Sequence, residues 1–332
     1  MDASASTATP PTAQAAPEGR LVHFPVALFS TVMGMAGLTI AWLKAHHAGG
    51  IPIEIGVALR WLTSALYLFL VTVYAAKLVL HPGAVLAERA HPVRLNFFSA
   101  ISIGLLLLAV TWAQDAPHAA RWMWGIGAAV NLAFTLSAIS SWIHHTHYDI
   151  KHANPAWFIP VVGNIIVPIV GMRFAPADVS WFFFSIGLVF WLVLMTIVLY
   201  RLFFHEPLVQ RLTPTLFILI APPAVGFLAY TTLTGDVDAF ARVLYFTALF
   251  LTLLLASNAV RFFRLPFFIS AWAYSFPLAA MTIATFEMSA RSGLPFYAGM
   301  AWLMLAVLSV VVAILVLRTL LAARRGQICV PE

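Results

Sequence analysis

Few side chains of this sequence could do chemistry inside a membrane. Charged residues make up only 9% of its 332 residues, and most of them stand between long apolar segments. Glu54 and Glu287 lie near segment ends, whereas Arg60 lies inside a segment, and ionisable residues at membrane depth are the usual functional sites of membrane proteins. For Arg60 we favour a structural role, snorkelling or pairing between helices, over substrate binding. No pair of groups is placed for catalysis, so we expect no enzyme activity.

Histidines form the one other polar cluster. His144, His145 and His147 precede Asp149, but neighbours at one helix end rarely converge on a metal by themselves. We therefore favour an exposed interfacial cluster and expect no metal or cofactor. The single Cys329 excludes a disulfide framework within the chain.

A proline interrupts the apolar stretch 266–287. Pro277 lacks a backbone donor and disfavours helical angles at Phe276, so the sequence predicts a break in this helix. In hydrocarbon, freed backbone groups are tolerated only where they face protein or a water-filled cavity. We expect this helix to line a cavity, with the Phe276 ring at the break.

The composition places these residues in a membrane protein. The chain is 62% hydrophobic with a mean hydropathy of +0.94, far from a soluble domain. Residues 1–20 contain no apolar run, so we expect a disordered tail and no cleaved signal peptide. The net charge of +6 comes from scattered residues that form no basic stripe, which argues against nucleic acid as a partner.

Apolar segments long enough to span a bilayer predict ten helices in an all-α polytopic fold. We number these spans one to ten. They form a single domain over 21–323, followed by a tail at 324–332. The predicted bounds are 24–43, 52–80, 93–113, 121–146, 155–174, 180–204, 214–233, 238–263, 267–287 and 295–323.

Odd and even spans differ in composition. Odd spans start with or contain proline and are rich in small or amide residues, whereas even spans carry proline at most at their first residue. We expect kinked odd spans and straight even spans, since interrupted helices mark substrate sites in transport folds. The candidate lining and kink residues are Pro25, Gly34, Gly37, Asn96, Ser99, Gly163, Asn164, Pro168, Pro222, Pro223, Ser275 and Pro277.

The prolines also define a repeat. Pro25, Pro92, Pro155, Pro214 and Pro277 are spaced by 67, 63, 59 and 63 residues, which indicates a helical hairpin repeated five times. Five inward odd spans and five outward even spans would form a quasi-fivefold ring around an axial passage. Side chains of even spans, such as Phe183, would face lipid. The alternative is that prolines are simply common in transmembrane helices.

The basic residues predict the orientation. Twelve of the 18 Lys and Arg share a side with residue 1, and five lie on the opposite side. By the positive-inside rule both termini are then cytoplasmic.

Several motifs resemble one known family. They are FPVALFSTVMGMAGLTIAW at 24–42, HPVRLNFFSA at 91–100, NPAWFIPVVGNIIVPIVG at 154–171, APP at 221–223 and WAYSFPLAA at 272–280. They resemble the bacterial TehA and plant slow-type anion channel family, also called the tellurite-resistance/dicarboxylate transporter family. The resemblance implies a homotrimer in a bacterial cytoplasmic membrane, with an anion pore in each subunit occluded by a phenylalanine, which is Phe276 here. The long N-terminal tail of the plant branch is missing from this sequence.

Two transport functions are therefore predicted. The first is a gated passive channel for small monovalent anions such as chloride or nitrate. The alternative is a carrier or exporter of C4-dicarboxylates or of oxyanions such as tellurite. Odd spans offer hydroxyls, amides and rings without a central charge, and such a lining binds anions weakly, which suits conduction.

Overall fold

The computed structural model describes residues 19–144 and 148–330. Within these ranges every regular element is a helix, so the predicted all-α class is confirmed. Nine of the described helices are long and apolar enough to cross a membrane, and span five is a shorter apolar segment. The bounds are Val26–Gly49, Ile53–Leu80, Arg94–Trp112, Pro117–His144, Pro155–Gly171, Ala177–Phe204, Thr213–Thr234, Ala239–Ser257, Ile269–Ser292 and Pro295–Arg324 for spans one to ten.

Parts of four predicted features lie outside the described residues. These are the last two residues of predicted span four, His145 and His147 of the histidine cluster, all but the last two residues of the tail at 1–20, and the last two residues of the tail at 324–332. His144 ends span four, is exposed and has its Nδ1 atom 2.9 Å from the Ser140 carbonyl oxygen. Among the described residues no group of three or more His, Cys, Asp or Glu could hold a metal ion.

Burial separates the odd spans from the even spans. In spans one, three, seven and nine, 67–78% of the most apolar window is buried, against 28–33% in the five even spans. Mean hydropathy does not explain this, since the most buried and least buried windows overlap in that quantity. Lipid solvates apolar side chains as well as protein does, so small residues that allow close packing decide which helices are buried.

Each odd span begins with a 3₁₀ segment and continues as an α-helix. A 3₁₀-helix is narrower and rises more per residue than an α-helix, and runs longer than about four residues are uncommon. The segment of span seven, Thr213–Ile220, has 8 residues, and that of span nine, Ile269–Tyr274, has 6. Span five is interrupted again, because the 3₁₀ segment Gly163–Ile166 separates two short α-helices.

The prediction that Pro277 breaks a helix and removes Phe276 from helical angles is wrong. Both residues lie in the first turn of the α-helix Ser275–Ser292. The first four N–H groups of an α-helix have no partner within it, so a proline there loses no hydrogen bond. Pro222 and Pro223 occupy the same place in the α-helical part of span seven. These prolines mark where the 3₁₀ segment gives way to the α-helix.

Two expectations for the even spans are also wrong. Span eight is interrupted, because its α-helix Ala239–Ser257 ends at Asn258 and the short helix Ala259–Phe263 follows. Phe183 does not face lipid. Its side chain is only 6% exposed, whereas the adjacent Phe182 is 52% exposed, since neighbours on a helix point in different directions.

The odd spans contact one another in a continuous order. Span one packs against spans three and nine, span three against five, five against seven, and seven against nine. The approach of spans one and nine is close. A Cβ atom built on Gly34 would lie 2.7 Å from the Cβ atom of Ser275, and one on Gly37 would lie 2.7 Å from the Cβ atom of Ala279. Both glycines are therefore needed for this contact.

A short helix between spans two and three, Pro82–Ala90, was not predicted. It carries Glu88, which is 4% exposed. The Lys77 ammonium lies 2.8 Å from the Glu88 carboxylate, which also accepts hydrogen bonds from the Tyr74 hydroxyl (2.9 Å) and the Val26 N–H (2.8 Å). A buried carboxylate needs such partners. This cluster fixes the start of span one to span two.

A candidate pore between the odd spans

All five odd spans contribute to one small cavity. Its volume is about 70 Å³, and we call it the central cavity. Each odd span supplies at least two side chains to its wall. Among these are Ser30, Met33, Phe97, Ile103, Val162, Gly163, Pro222, Val225, Phe276 and Pro277.

The wall of the central cavity is almost entirely apolar. Its polar side chains are Ser30, Ser270 and the edge of Trp272, and its described lining includes no ionisable residue. The Ser30 hydroxyl donates to the Ala27 carbonyl oxygen at 2.6 Å, and the Trp272 indole N–H donates to Thr319 at 2.9 Å. An ion inside this cavity would exchange its hydration for few polar groups, so the cavity is a barrier rather than a strong binding site.

Phe276 lies on the wall of the central cavity. It is the second residue of the α-helical part of span nine and is half-buried. Its Cδ2 atom would lie 3.5 Å from a Cβ atom built on Gly37, so the ring lies close to this glycine of span one. Pro277 lines the same cavity and rigidifies the backbone immediately after the ring.

The structure divides the other predicted lining residues into groups. Those on the central cavity, besides the two just described, are Gly163 and Pro222. Those in the contact between spans one and nine are Gly34, Gly37 and Ser275. Pro168 and Pro223 lie in first turns of α-helical segments, and Pro25 lies on a second cavity.

Asn164 is placed between helices rather than on the central cavity. Its amide nitrogen donates to the Thr135 hydroxyl at 2.8 Å, and its amide oxygen accepts from the Asn131 amide at 2.9 Å. Ser102 of span three donates to the same Asn131 at 3.0 Å. This buried network holds the interrupted span five against span four and orients span three.

Asn96 and Ser99 are fully buried near the start of span three. The Asn96 amide nitrogen donates to the carbonyl oxygens of Pro92 (3.1 Å) and Val93 (3.2 Å). The Asn96 Oδ1 and Ser99 Oγ atoms have no hydrogen-bond partner among the described residues. Asn96 thus shapes the 3₁₀ start of span three, and neither side chain is on the central cavity wall.

A much larger cavity adjoins the central cavity near the starts of spans one, three, seven and nine. Its volume is about 630 Å³, and we call it the vestibule. It shares Phe97 and Ser270 with the central cavity. The vestibule lies at the side that the charge distribution predicts to be cytoplasmic. Four arginines line it: Arg94, Arg211, Arg318 and Arg325.

Arginines outnumber carboxylates on the described lining of the vestibule. Among the described residues, Glu88 is its single acidic lining residue, and the Lys77 ammonium already neutralises that carboxylate. Cys329 follows span ten and is adjacent in sequence to Ile328, which lines the vestibule. Burial raises the pKa of the Cys329 thiol. The sequence analysis missed this site because its arginines come from distant segments.

An ionic cluster lies at the opposite end of the odd spans. Glu287 of span nine pairs with Lys44 of span one, and its other oxygen lies 2.5 Å from the Nε atom of Arg291. Arg291 also donates to the Gly235 carbonyl oxygen at 2.7 Å. The cluster joins spans one and nine to the turn after span seven.

Arg60 lies at a contact between hairpins and away from both cavities. Its side chain pairs with the Asp115 carboxylate, and its Nη1 atom donates to the Thr111 carbonyl oxygen at 3.2 Å. The guanidinium carbon lies 4.1 Å from the ring centroid of Trp112. These contacts join span two to the end of span three.

The arrangement is that of a polytopic helical membrane protein with a small cavity between its buried helices. The sequence profile of the voltage-dependent anion channel family, SLAC1, matches residues 23–320 of the chain. The chain belongs to this family and is a multi-pass membrane protein.

Proteins with sequences similar to this chain occur in plants and bacteria. The chain is 32% identical to the S-type anion channel SLAH3 of Arabidopsis thaliana over 80% of this chain and 43% of the relative. It is 30% identical to SLAH2 of the same plant over 81% and 53%. It is 26% identical to the tellurite resistance protein TehA homolog of Haemophilus influenzae over 91% and 92%. The chain thus spans about half the length of these plant relatives and nearly all of the bacterial one.

Proposed function

We propose that this protein is a gated passive channel for small monovalent anions of the chloride or nitrate type. The observation that carries the proposal is the position of Phe276 on a small cavity that all five odd spans line. Membership of the voltage-dependent anion channel family supports an anion as the transported species. The neutral lining supports weak binding, which allows ions to leave as well as enter.

Phe276 is the gate in this proposal. A cavity of about 70 Å³ with apolar walls is poorly wetted, and hydrophobic constrictions close pores by excluding water. The ring adds a steric block. Conduction then requires the Phe276 side chain to rotate away from the cavity.

The alternative function is a carrier or exporter of C4-dicarboxylates or of oxyanions such as tellurite. Its support is the bacterial relative named for tellurite resistance. Coupling to protons would need a titratable group on the path, and the described lining of the central cavity offers hydroxyls, an indole and apolar groups. This lining favours passive flow.

The wider proposal concerns assembly and orientation. The continuous order of contacts from span one through span nine supports a quasi-fivefold ring with the even spans outside. We propose that three such subunits form a homotrimer in a bacterial cytoplasmic membrane, with both termini in the cytoplasm. In this arrangement the vestibule faces the cytoplasm, and the protein transports ions without acting as an enzyme.

The experiment that tests the function uses purified protein in a planar bilayer under an imposed chloride gradient. A channel gives single-channel current steps and a reversal potential that follows the anion gradient. Saturable flux with a fixed stoichiometry to protons would contradict the channel and support the coupled carrier. The Phe276→Ala variant is measured in the same bilayers, and its current serves as the reference for a pore without the Phe276 ring.

A further inference from the structure

An apolar groove lies on the outer surface of the molecule between spans two and ten. We call it the outer groove, and its volume is about 520 Å³. Its rim includes exposed side chains of these two even spans, such as Leu62 and Leu320. Its floor consists of buried side chains of spans one and nine, among them Leu28, Met35 and Trp272. The outer groove therefore reaches past the even spans to the enclosed odd spans.

The hydroxyl and indole groups of the outer groove already have hydrogen-bond partners. The Thr31 hydroxyl donates to the Leu28 carbonyl oxygen at 2.7 Å. The Thr319 hydroxyl donates to the Leu315 carbonyl oxygen at 2.7 Å and accepts from the Trp272 indole N–H at 2.9 Å. A polar solute would lose its hydration against this wall, whereas a hydrocarbon chain needs no hydrogen-bond partner. The wall thus favours a hydrocarbon chain.

The length of the outer groove matches one leaflet of a bilayer. On span ten its wall extends from Val316 to the end of the helix at Arg324. At about 1.5 Å per residue this stretch rises by about 12 Å. Half of a hydrocarbon core of about 30 Å is about 15 Å. The groove is therefore long enough for most of one acyl chain.

An exposed arginine lies at the end of the outer groove. It is Arg20, the one residue of the described groove lining that carries a charge. Its Nη2 atom would lie 3.5 Å from a Cβ atom built on Gly326, which follows the end of span ten. The guanidinium group thus lies where this helix leaves the membrane, and basic side chains at that level attract anionic lipid head groups.

We propose that the outer groove binds one anionic phospholipid, such as phosphatidylglycerol, with an acyl chain in the groove and the phosphate at Arg20. The chain packs against Trp272, whose ring also lines the central cavity. The bound lipid therefore supports the wall of that cavity from outside. This proposal concerns lipid binding and does not depend on the proposed channel function.

Binding is tested on the purified full-length protein in detergent after removal of bound lipid. Phosphatidylglycerol and phosphatidylcholine with identical acyl chains are titrated separately, and thermal unfolding is followed. We expect both lipids to raise the unfolding temperature, with an apparent affinity about fivefold higher for phosphatidylglycerol because of Arg20. Glycerol 3-phosphate carries the phosphate without a chain and should give no shift. A shift equal to that of phosphatidylglycerol would identify a site for free phosphate and overturn the lipid site.

The head-group contact is tested with Arg20→Gln. This variant should bind the two lipids equally, because the charge that distinguishes them is removed. The matched control is Arg324→Gln, which removes an exposed charge at the same end of span ten without touching the groove wall. It should keep the preference for phosphatidylglycerol. Equal effects of the two substitutions would mean that general surface charge explains the preference, and would overturn the contact at Arg20.

The chain contact is tested with Ala323→Phe, which places a ring on the groove wall at an exposed position. The apparent affinity for both lipids should fall about tenfold, the loss expected when about two methylene groups are no longer buried. The matched control is Ala313→Phe, at an exposed position of the same helix away from the groove wall. It should bind as the wild type does. Equal losses in the two variants would overturn the outer groove as the site of the chain.

The position of the lipid is tested with a phosphatidylglycerol that carries a photoreactive diazirine in its acyl chain. Peptide mass spectrometry after irradiation should find the lipid on groove residues such as Phe69 and Leu320, and Ala323→Phe should lose this adduct. Adducts spread evenly over the exposed faces of all even spans would contradict a single site. A second copy of the chain is the competing occupant. Loss of oligomeric mass in Ala323→Phe by light scattering, with no groove adduct in the wild type, would assign the groove to a subunit interface and overturn the proposal.

Discussion

The odd and even spans overlap in mean hydropathy but differ in burial. The most apolar windows of spans four and seven have mean hydropathies of 1.5 and 1.8, yet 28% of the first and 67% of the second is buried. Span seven has its proline pair and a 3₁₀ start, whereas span four is one continuous α-helix of 28 residues. Hydropathy thus predicts that a segment spans the membrane, while small residues and prolines indicate which segments are enclosed.

The largest expected effect comes from removing the ring on the central cavity. Phe276→Ala enlarges the constriction without adding charge, so conductance should rise severalfold or more. The order of permeability among anions should change little, because the rest of the lining is unchanged. Single-channel recording with chloride, nitrate and bromide measures both quantities.

Its control is the even-span variant Phe182→Ala. This ring is 52% exposed, so its loss should leave conductance unchanged. If Phe276→Ala assembles normally and conducts no better than the wild type, Phe276 is an ordinary packing residue.

The next largest effect concerns the contact between spans one and nine. Gly34→Ala places a methyl group against Ser275, with only 2.7 Å between the two Cβ atoms. Overpacking of this kind costs about 1–3 kcal/mol, so the unfolding temperature and the yield of folded protein should fall. Ser275→Gly combined with Gly34→Ala should recover part of the loss.

The matched control is Gly125→Ala in span four, where no heavy atom lies within 4 Å of the added Cβ atom. It should be neutral or slightly stabilising, since alanine favours a helix more than glycine does. Equal losses at Gly34 and Gly125 would mean that the odd spans are not packed more tightly than the even spans.

A smaller effect is expected at the hairpin contact of Arg60. Arg60→Met removes the pairing with Asp115 and the contact with the Trp112 ring. We expect a loss of about 0.5–1 kcal/mol, and the loss is small because the exposed Asp115 carboxylate stays solvated after its partner is removed. Anion selectivity should stay unchanged in reversal-potential measurements. An altered permeability order would place an even span on the ion path.

Much of the fold could be predicted because it depends on features along the chain. The lengths of the apolar segments predict the spans, and proline recurrence separates odd from even. Phe276 lies on the central cavity wall, and its role as a gate stays a prediction. The prediction for the local conformation was wrong because a proline such as Pro277 can either break a helix or lie in its first turn. The 3₁₀ segment that precedes Ser275 decides between these outcomes.

Features that depend on distant residues could not be predicted. Asn164 could face a cavity or a neighbouring helix, and Asn131 and Thr135 on span four decide this. Lys77 and Glu88 are 11 residues apart in the sequence, and the helix Pro82–Ala90 brings their side chains together. The orientation of Phe183 depends on which side of span six faces span five.

The most direct test of the account asks whether ions pass through the central cavity. Ser30→Cys places a thiol on its wall with little change in size, and Thr72→Cys places one on an exposed position of span two. Both are made in Phe276→Ala protein that also carries Cys329→Ser, because the native thiol lies next to the vestibule. A small anionic methanethiosulfonate should block chloride current in the Ser30→Cys protein and leave the Thr72→Cys current unchanged. Full current after modification of Ser30→Cys, confirmed by mass spectrometry, would contradict a path between the odd spans.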